Sequence, residues 1–331
     1  MRRFLSVLFL LLLLGAGGTA FKAWQDYKNP GPLLHDSDVV IPHGDYLSTI
    51  HTLQQAGVLQ SGFWTERLCL VAVLLTRHDG QLHAAELHFP ASVSMRDALH
   101  IMRHGRPVLH KLTIPEGLSA HQIQALLQAA PFLTEDAPLP PEGSVMPETY
   151  SYLRNTSRKN LLERTQAAMT KAVQAIWNQR TPVPEVPDET AFLTLASLVE
   201  KETAVPAERP LVARVFINRL RLGMKLQTDP TVIYALTNGT APLGRALTHA
   251  DLQISNPYNT YRIAGLPPGP ICAPGLSSLN AVAHPATGDM LYFVANGQGG
   301  HSFAASLTEH NKNVQALRQR KEADHPPTPQ E

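Results

Sequence analysis

Cysteine is scarce and net charge is almost absent in this 331-residue sequence. The two cysteines, Cys69 and Cys272, are far apart and form no CxxC pattern, so a metal site or a disulfide framework has little support, although a single disulfide between them stays open. Lys and Arg together number 28 against 27 for Asp and Glu, which removes the electrostatic argument for a nucleic-acid partner. With 44% hydrophobic residues, the chain can still bury a substantial core in two or more domains.

The longest apolar run is at the N-terminus, where two arginines precede hydrophobic and small residues from Phe4 to Phe21. As a helix this run would reach roughly 27 Å, close to the ~30 Å hydrocarbon core of a bilayer. Residues 1–21 are therefore a membrane anchor or an export signal, because Gly18-Thr19-Ala20 also resembles a cleavage site. In both cases the positive-inside rule predicts that the rest of the chain is exported.

Residues 22–38 are polar and contain Pro30-Gly31-Pro32, which predicts a short tether. Beyond it, a strand, a turn and a helix follow one another three times between residues 38 and 133, which is typical of small α/β modules. A further helix is predicted from Phe63 to Leu75. The Pro- and Gly-rich segment from Ala137 to Pro147 indicates a domain boundary or an entry loop.

Two helices are predicted after this boundary. An amphipathic pattern spans residues 157–179, and the next helix begins near Asp188, a suitable N-cap directly after Pro187, and ends by Pro206. Further on, the composition of residues 291–295 predicts a buried strand.

The helix after Asp188 carries two carboxylates in the stretch LASLVEKETAV. Helical spacing places Glu202 on the apolar face of Leu198 and Val199, whereas Glu200 points roughly the other way. Burial would raise the pKa of Glu202 and make it a general acid. The alternative is that Glu202 turns to solvent at the helix end. Glu200 would stay ionised and assist, or lie on the surface.

Polar groups of the kind that bind sugar hydroxyls and N-acetyl groups follow this helix. Tyrosines near residue 260 could also serve as platforms for pyranose rings. The alternative for each residue is a role in capping or turn formation. The candidate binding residues are Asn218, Gln227, Thr228, Asp229, Tyr258, Asn259 and Tyr261.

Three histidines lie in the C-terminal part, at His284, His301 and His310. Their spacing matches no metal-ligand motif, so we predict no metal and no cofactor. The stretch GGHSF is typical of a turn that leads into a strand, with His301 packed or hydrogen-bonded.

Several motifs together resemble the YceG-like endolytic murein transglycosylase (MltG) family. They are ASLVEKET, ERPLVARVFINRLRLGMKLQTDPTVIY, NPYNTYRIAGLPPGPI, APG, AVAHPA, LYFVANGQGGHSF and EHNK. The resemblance is strong over residues 189–312 and weak toward the N-terminus. The stretch EGSVMPETY, at 142–150, departs from the family's EGYLFPDTY.

This resemblance implies an enzyme that cleaves the β-1,4 bond between N-acetylmuramic acid and N-acetylglucosamine within nascent peptidoglycan strands. The second Glu of EKET, here Glu202, would act first as acid and then as base, giving a 1,6-anhydro-muramic acid end without water. Glu200, Glu148 and His301 are candidate auxiliary residues. Glu200 and Glu202 diverge on the helix and cannot flank one sugar as the two carboxylates of ordinary glycosidases do.

The expected fold class is α+β: a membrane helix (1–21), a tether (22–38), a LysM-like α/β module (39–114), a YceG-like catalytic domain (115–318) and a disordered tail (319–331). The resemblance implies a single-pass protein of the cytoplasmic membrane with a periplasmic catalytic domain. Its partners would be glycan strands and peptidoglycan synthases.

Three alternatives to this assignment stay open. The LysM-like module could bind N-acetylglucosamine polymers or only set a distance from the membrane. The whole protein could be a non-catalytic glycan-binding scaffold. It could also be a hydrolytic muramidase, which would add water across the bond.

Overall fold

The computed structural model describes the backbone of residues 2–324 and the side chains of residues 4–320. The described chain is a mixture of helices and short strands and divides into two compact units. The first contains the chain up to His110 together with Ser151–Asn155, and the second contains Lys111–Tyr150 and the chain from Thr156 onward. We predict a domain boundary after Ile114, whereas the first unit ends at His110 and takes in a later segment as well.

The N-terminal helix α1 runs from Arg2 to Lys28 and is long and apolar enough between Phe4 and Lys28 to cross a membrane. Its last turns belong to the predicted tether but contact the first unit. Asp26 accepts a hydrogen bond of 2.8 Å from Trp64 Nε1, and Tyr27 packs against the hydrophobic core. The segment after α1 therefore differs from a simple tether, because its aromatic and apolar side chains find partners.

In the first unit, strand β1 (Ser37–Val40) pairs antiparallel with β2 (Glu86–Phe89), with Ser37 opposite Phe89. Helices α2 (Tyr46–Gln55) and α3 (Phe63–Leu75) lie between these strands in sequence, and α4 (Met95–His104) follows them. The side chains of Leu53, Phe89 and Leu99 are buried in one core. Burying them supplies the main favourable free energy of this unit.

Strand β3 (His110–Thr113), helix α5 (Ala120–Ala129) and strand β4 (Thr149–Tyr152) come next in the chain, and β3 pairs with β4. The division between the units falls within each of these strands. The following helices are α6 (Arg158–Trp177), α7 (Glu189–Glu202), α8 (Arg209–Arg221), α9 (Asp229–Thr237) and α10 (Leu276–Ala283). The chain then forms the antiparallel pair β5 (Tyr292–Ala295) and β6 (His301–Ala304), and α11 runs over Leu307–Asp324.

Helix α7 is the central element of the second unit. It packs against α8 and α10, and its residues from Thr194 to Val199 are buried one after another. Phe192 and Phe216 anchor the contact from α7 and α8. Because this helix is enclosed on nearly all sides, its end is held rigidly, which suits a position that carries a functional side chain.

Helix starts are where sequence and structure agree best. Helix α3 has the predicted bounds, Ser157 caps α6, and Asp188 caps α7 by accepting a 2.8 Å hydrogen bond from Ala191 N.

Other predictions have mixed outcomes. Strand β5 is only half-buried, so the prediction of a buried strand is wrong. Both cysteines are buried free thiols. Of the tail predicted as disordered, residues 319–324 continue α11, and residues 325–331 lie outside the described part.

Candidate active site

Glu202 is the last residue of α7 and lies where the enclosed helix reaches the surface. Leu198 and Val199, one turn earlier, are fully buried, and the Glu202 side chain is partly buried. The alternative in which Glu202 turns fully into solvent is therefore wrong. Thr203 ends the helix in an extended conformation, so the chain turns away directly after the carboxylate.

A network of buried threonines holds the two segments beside this helix end. Thr260 Oγ1 accepts a 3.0 Å hydrogen bond from Thr228 N and lies 2.8 Å from Thr231 Oγ1. Gln227 donates its backbone N–H to Thr260 O and has a left-handed backbone, with φ of 52°. A non-glycine residue in that region is uncommon and is found at ligand sites more often than elsewhere. The exposed Gln227 side chain is thus presented on a fixed turn.

Asp229 and Tyr261 form a hydrogen-bonded pair next to Glu202. The Tyr261 hydroxyl donates to Asp229 Oδ1 at 2.6 Å. Asn259 holds Tyr261 in place, because its Oδ1 accepts from Tyr261 N at 3.0 Å. Burial, and then the Asp229 carboxylate, raise the pKa of Tyr261, so its hydroxyl remains a donor.

The pKa of Glu202 is raised, and burial is the largest cause. The negative charge of Asp229 acts in the same direction, whereas the Thr228 hydroxyl and the charges of His301 and Arg219 lower the pKa. Thr228 Oγ1 has no hydrogen-bond partner within the standard distance among the described residues. Its hydroxyl therefore acts on Glu202 from beyond that distance. Glu202 is therefore a carboxyl group that holds its proton more tightly than an exposed glutamate.

Helix α8 supplies a cation that the sequence did not single out. Arg219 donates from Nε to Leu291 O at 2.7 Å and from Nη1 to Leu226 O at 2.9 Å. It therefore joins the turn before Gln227 to the start of β5. The neighbouring Asn218 is buried, and its amide donates to the carbonyl oxygens of Gly288 and Met290. Its amide hydrogens are already used, so Asn218 is not free to donate them to the sugar that we predict it binds.

Glu200 is in a different environment from the one we predict. Its side chain is only 5% exposed and forms a 2.9 Å ion pair with Arg209. Its other oxygen accepts from Gly275 N at 2.9 Å, at the beginning of α10. The expectation of a surface carboxylate is wrong because α7 is buried around most of its circumference. Glu200 joins helices rather than facing Glu202.

His301, at the start of β6, is bound by Glu208, which lies just before α8. Its Nδ1 lies 2.7 Å from Glu208 Oε2, and its backbone N donates to Glu208 Oε1 at 2.7 Å. Phe293 and Phe303 contact the ring, with Phe293 edge-on at 5.6 Å. The prediction of a packed and hydrogen-bonded histidine is confirmed, and its charge also acts on Glu202.

The other candidates have contacts of a different kind. Tyr258 stacks at a tilt on Tyr234, with 4.8 Å between ring centroids, and the fully buried Asn259 donates to two backbone carbonyls. Glu148 is exposed, and after burial its charge is the second cause that raises the pKa of Tyr150 to about 12. No described contact therefore places Asn259 or Glu148 beside Glu202 as a sugar-binding or auxiliary group.

The structure therefore brings together Glu202, Thr228, Asp229, Tyr261 and His301, with Gln227 at the edge. Sequence reasoning missed Arg219 and Glu208. Glu208 and His301 are 93 positions apart, so no local pattern could pair them. A carboxyl that holds its proton, beside hydroxyl and carboxylate groups, can donate that proton to a leaving oxygen and then take one from a hydroxyl.

Comparison with known proteins gives a consistent picture. A sequence profile of the YceG-like family matches residues 39–316. The endolytic murein transglycosylase of Bacillus subtilis (strain 168) is 40% identical over 174 residues, which are 52% of this chain and 47% of that protein. The protein of the same name from Streptococcus pneumoniae (strain D39) is 30% identical, over 94% of this chain and 64% of that protein.

The chain thus spans about half to two thirds of the length of these curated relatives. A solved structure is also similar: the 2.6 Å crystal structure of a YceG-like protein from Listeria monocytogenes. It superimposes with a TM-score of 0.53 at 28% identity, over 84% of this chain and 98% of that one.

Proposed function

Because the chain belongs to the YceG-like family, we propose that it is a lytic transglycosylase that cuts peptidoglycan glycan strands internally. The bond cut is the β-1,4 bond between N-acetylmuramic acid and N-acetylglucosamine, and the product ends in 1,6-anhydro-N-acetylmuramic acid. Two relatives named endolytic murein transglycosylase support this activity. The single observation that carries it is the partly buried Glu202, whose pKa is raised by burial.

In the first step, protonated Glu202 donates its proton to the glycosidic oxygen as the bond from that oxygen to muramyl C1 breaks. A raised pKa favours this step, because more of the carboxyl is protonated near neutral pH. In the second step, the Glu202 carboxylate takes the proton of the muramyl C6 hydroxyl as O6 bonds to C1. Glu202 ends protonated, and no water is consumed.

Asp229 favours a second candidate function. It is a carboxylate close enough for its charge to raise the pKa of Glu202, and Tyr261 fixes its position. Hydrolytic glycosidases use two such carboxylates, one to protonate the leaving group and one to act as nucleophile or to activate water. A hydrolytic muramidase is therefore the alternative, with Asp229 rather than Glu200 as its second carboxylate.

The substitution Glu202→Gln tests the proposal. It removes the transferable proton but preserves size, so we expect the release of anhydro-muramic acid ends from sacculi to fall by about a hundredfold to ten-thousandfold. Mass spectrometry of the products separates the candidates, because anhydro products are lighter by one water than hydrolytic ones. Glu189→Gln, at the other end of α7, is the matched control and should leave the products unchanged.

Two outcomes would contradict the proposal. Full activity of the Glu202→Gln protein would mean that the carboxyl is structural, as expected of a non-catalytic glycan-binding scaffold. Products of the unmodified protein that all carry a reducing muramic acid would support the muramidase instead.

The further binding groups belong to this proposal. Gln227, Thr228, Asp229 and Tyr261 would bind the sugars on either side of the cut bond. Residues 39–114 would form a LysM-like module that positions the strand, with a spacer as the alternative. Deleting residues 39–114 and measuring binding to sacculi separates the two: reduced binding supports the module, and unchanged binding supports the spacer.

The N-terminal helix fits a single-pass membrane anchor. We place the protein in the cytoplasmic membrane with the second unit in the periplasm, because two arginines precede the apolar run and positive charge favours the cytoplasmic side. At this location its substrate would be nascent glycan strands, and its partners peptidoglycan synthases.

A further inference from the structure

Glu208 has an unusual concentration of hydrogen bonds for a partly exposed carboxylate. Its Oε2 lies 2.7 Å from His301 Nδ1 and accepts from Thr203 Oγ1 at 3.1 Å. Its Oε1 accepts from His301 N at 2.7 Å. Burial alone would raise the pKa of Glu208, but the hydrogen bonds from His301 and Thr203 lower it. The ionised carboxylate can only accept, so Nδ1 of His301 carries the hydrogen.

The backbone around Glu208 is shaped for this pair. A Cβ atom on Gly300 would lie 2.5 Å from Glu208 Oε1, so only glycine allows the carboxylate to approach the N–H of residue 301 this closely. On the other side, Thr203 directly follows Glu202 and shares Glu208 Oε2 with His301. One carboxylate oxygen therefore joins the end of α7 to the start of β6.

The same contacts leave one ring nitrogen unused. Glu208 binds Nδ1, and Phe293 and Phe303 pack against the ring. Within residues 4–320, whose side chains the structure describes, no group hydrogen-bonds Nε2 of His301. Nε2 is therefore the ring nitrogen left to hydrogen-bond a ligand hydroxyl.

We propose that Glu208 is a positioning residue that fixes His301, and that His301 Nε2 hydrogen-bonds a hydroxyl of the sugar bound at Glu202. The inference rests on the proposed function for the identity of that sugar. A functional side chain whose neighbour is oriented by a hydrogen bond to a third group is a recurring arrangement in enzymes. Here the third group is Glu208, and the oriented ring binds substrate.

Two substitutions of His301 separate this role from packing. His301→Asn keeps an amide near the position of Nδ1, so it can still donate to Glu208, but it lacks any atom at Nε2. His301→Gln places its amide near Nε2 instead. We expect His301→Asn to lower kcat/KM on sacculi by about tenfold to a hundredfold, the size of one lost hydrogen bond to substrate. His301→Gln should recover part of the loss.

Glu208→Gln should lower kcat/KM similarly, because three donors then meet only one acceptor oxygen. The controls are Glu185→Gln, which breaks an ion pair with Arg221, and His284→Asn at an exposed histidine. Both should retain wild-type kcat/KM. If Glu208→Gln fails to fold, as judged by circular dichroism, His301→Asn decides alone because it preserves the Glu208 contacts.

His301→Asn within twofold of wild-type kcat/KM would overturn the inference. If the unmodified protein releases no anhydro ends, the proposed function fails, and binding then decides the inference. In that case the probe is the tetrasaccharide of alternating N-acetylglucosamine and N-acetylmuramic acid, titrated calorimetrically against the Glu202→Gln protein with and without His301→Asn. Weaker binding with His301→Asn supports the inference, and equal binding contradicts it.

Discussion

At the scale of single residues, two glutamates in one helical turn have opposite environments. Glu200 is paired with Arg209 and with a backbone N–H, whereas no ion pair or standard hydrogen bond joins Glu202 to another described side chain. Burial of an unpaired carboxyl disfavours its charged form. The raised pKa of Glu202 thus reflects both its burial and the lack of such a partner among the described side chains.

This environment has a consequence for stability. The folded state raises the pKa of Glu202 above its value in the unfolded chain, so folding favours the protonated form. The contribution to stability is full below the unfolded pKa of about 4.3 and is lost as the pH rises through the folded pKa. Each tenfold increase in the proton affinity of Glu202 on folding corresponds to about 1.4 kcal/mol of free energy.

We therefore expect Glu202→Gln to be more stable than the wild type at pH 8 and equal to it near pH 4. Urea denaturation at both pH values measures the difference in the free energy of unfolding. Glu189→Gln, at the exposed start of α7, should show no such pH-dependent gain. A wild type that is the more stable protein at pH 8 would contradict the raised pKa.

At the scale of elements, Arg209 connects several parts of the second unit. It pairs with Glu200 at the end of α7, and Glu200 in turn binds the N–H of Gly275 before α10. Arg209 itself begins α8 and is 8% exposed. Removing one partner of such a buried pair leaves a charge without compensation, which usually costs about 3–5 kcal/mol.

Arg209→Met should accordingly lower the free energy of unfolding by about 3–5 kcal/mol. The control is Arg221→Met, which breaks the more exposed pair with Glu185 and should cost less than about 1 kcal/mol. Urea denaturation gives both values. Equal losses in the two variants would show that the Arg209 pair is no stronger than a surface ion pair.

The elements that the sequence predicts best are those with local signals. Asp188 after Pro187 marks the start of α7, and Ser157 marks the start of α6, because capping needs only neighbouring residues. The periodicity argument at Glu202 selected a partly buried carboxyl, but the same argument failed for Glu200. A helix buried on almost every side has no polar face for periodicity to detect.

The site itself could be predicted only in part for the same reason. Thr228, Asp229 and Tyr261 are recognisable from their motifs, and the structure places them near Glu202. The pairing of Glu208 with His301 depends on tertiary contacts across a long sequence distance. Asn218 and Asn259 look like binding residues in sequence, yet their amides donate to backbone carbonyls of distant or looped segments, contacts that only the folded structure reveals.

At the scale of the whole molecule, the chain combines two folded units with one exposed apolar helix. The leucines from Leu8 to Leu14 in α1 are exposed. A continuous apolar surface of this length is rare on soluble proteins. The polar end of α1 is different, because Asp26 binds Trp64 and Tyr27 packs in the first unit. The apolar part of α1 therefore continues directly into residues packed in the first unit, without a long flexible connection.

We expect the full-length protein to stay in the membrane fraction after washing with high salt, since burial of apolar surface is not screened by ions. A variant in which a cleavable export signal replaces residues 1–21 keeps Asp26 and Tyr27 and should move to the soluble fraction with its fold intact. Fractionation, and mass spectrometry of the intact chains, measure both outcomes. A soluble product whose first residue is Phe21 would instead identify the segment as an export signal cleaved after Ala20.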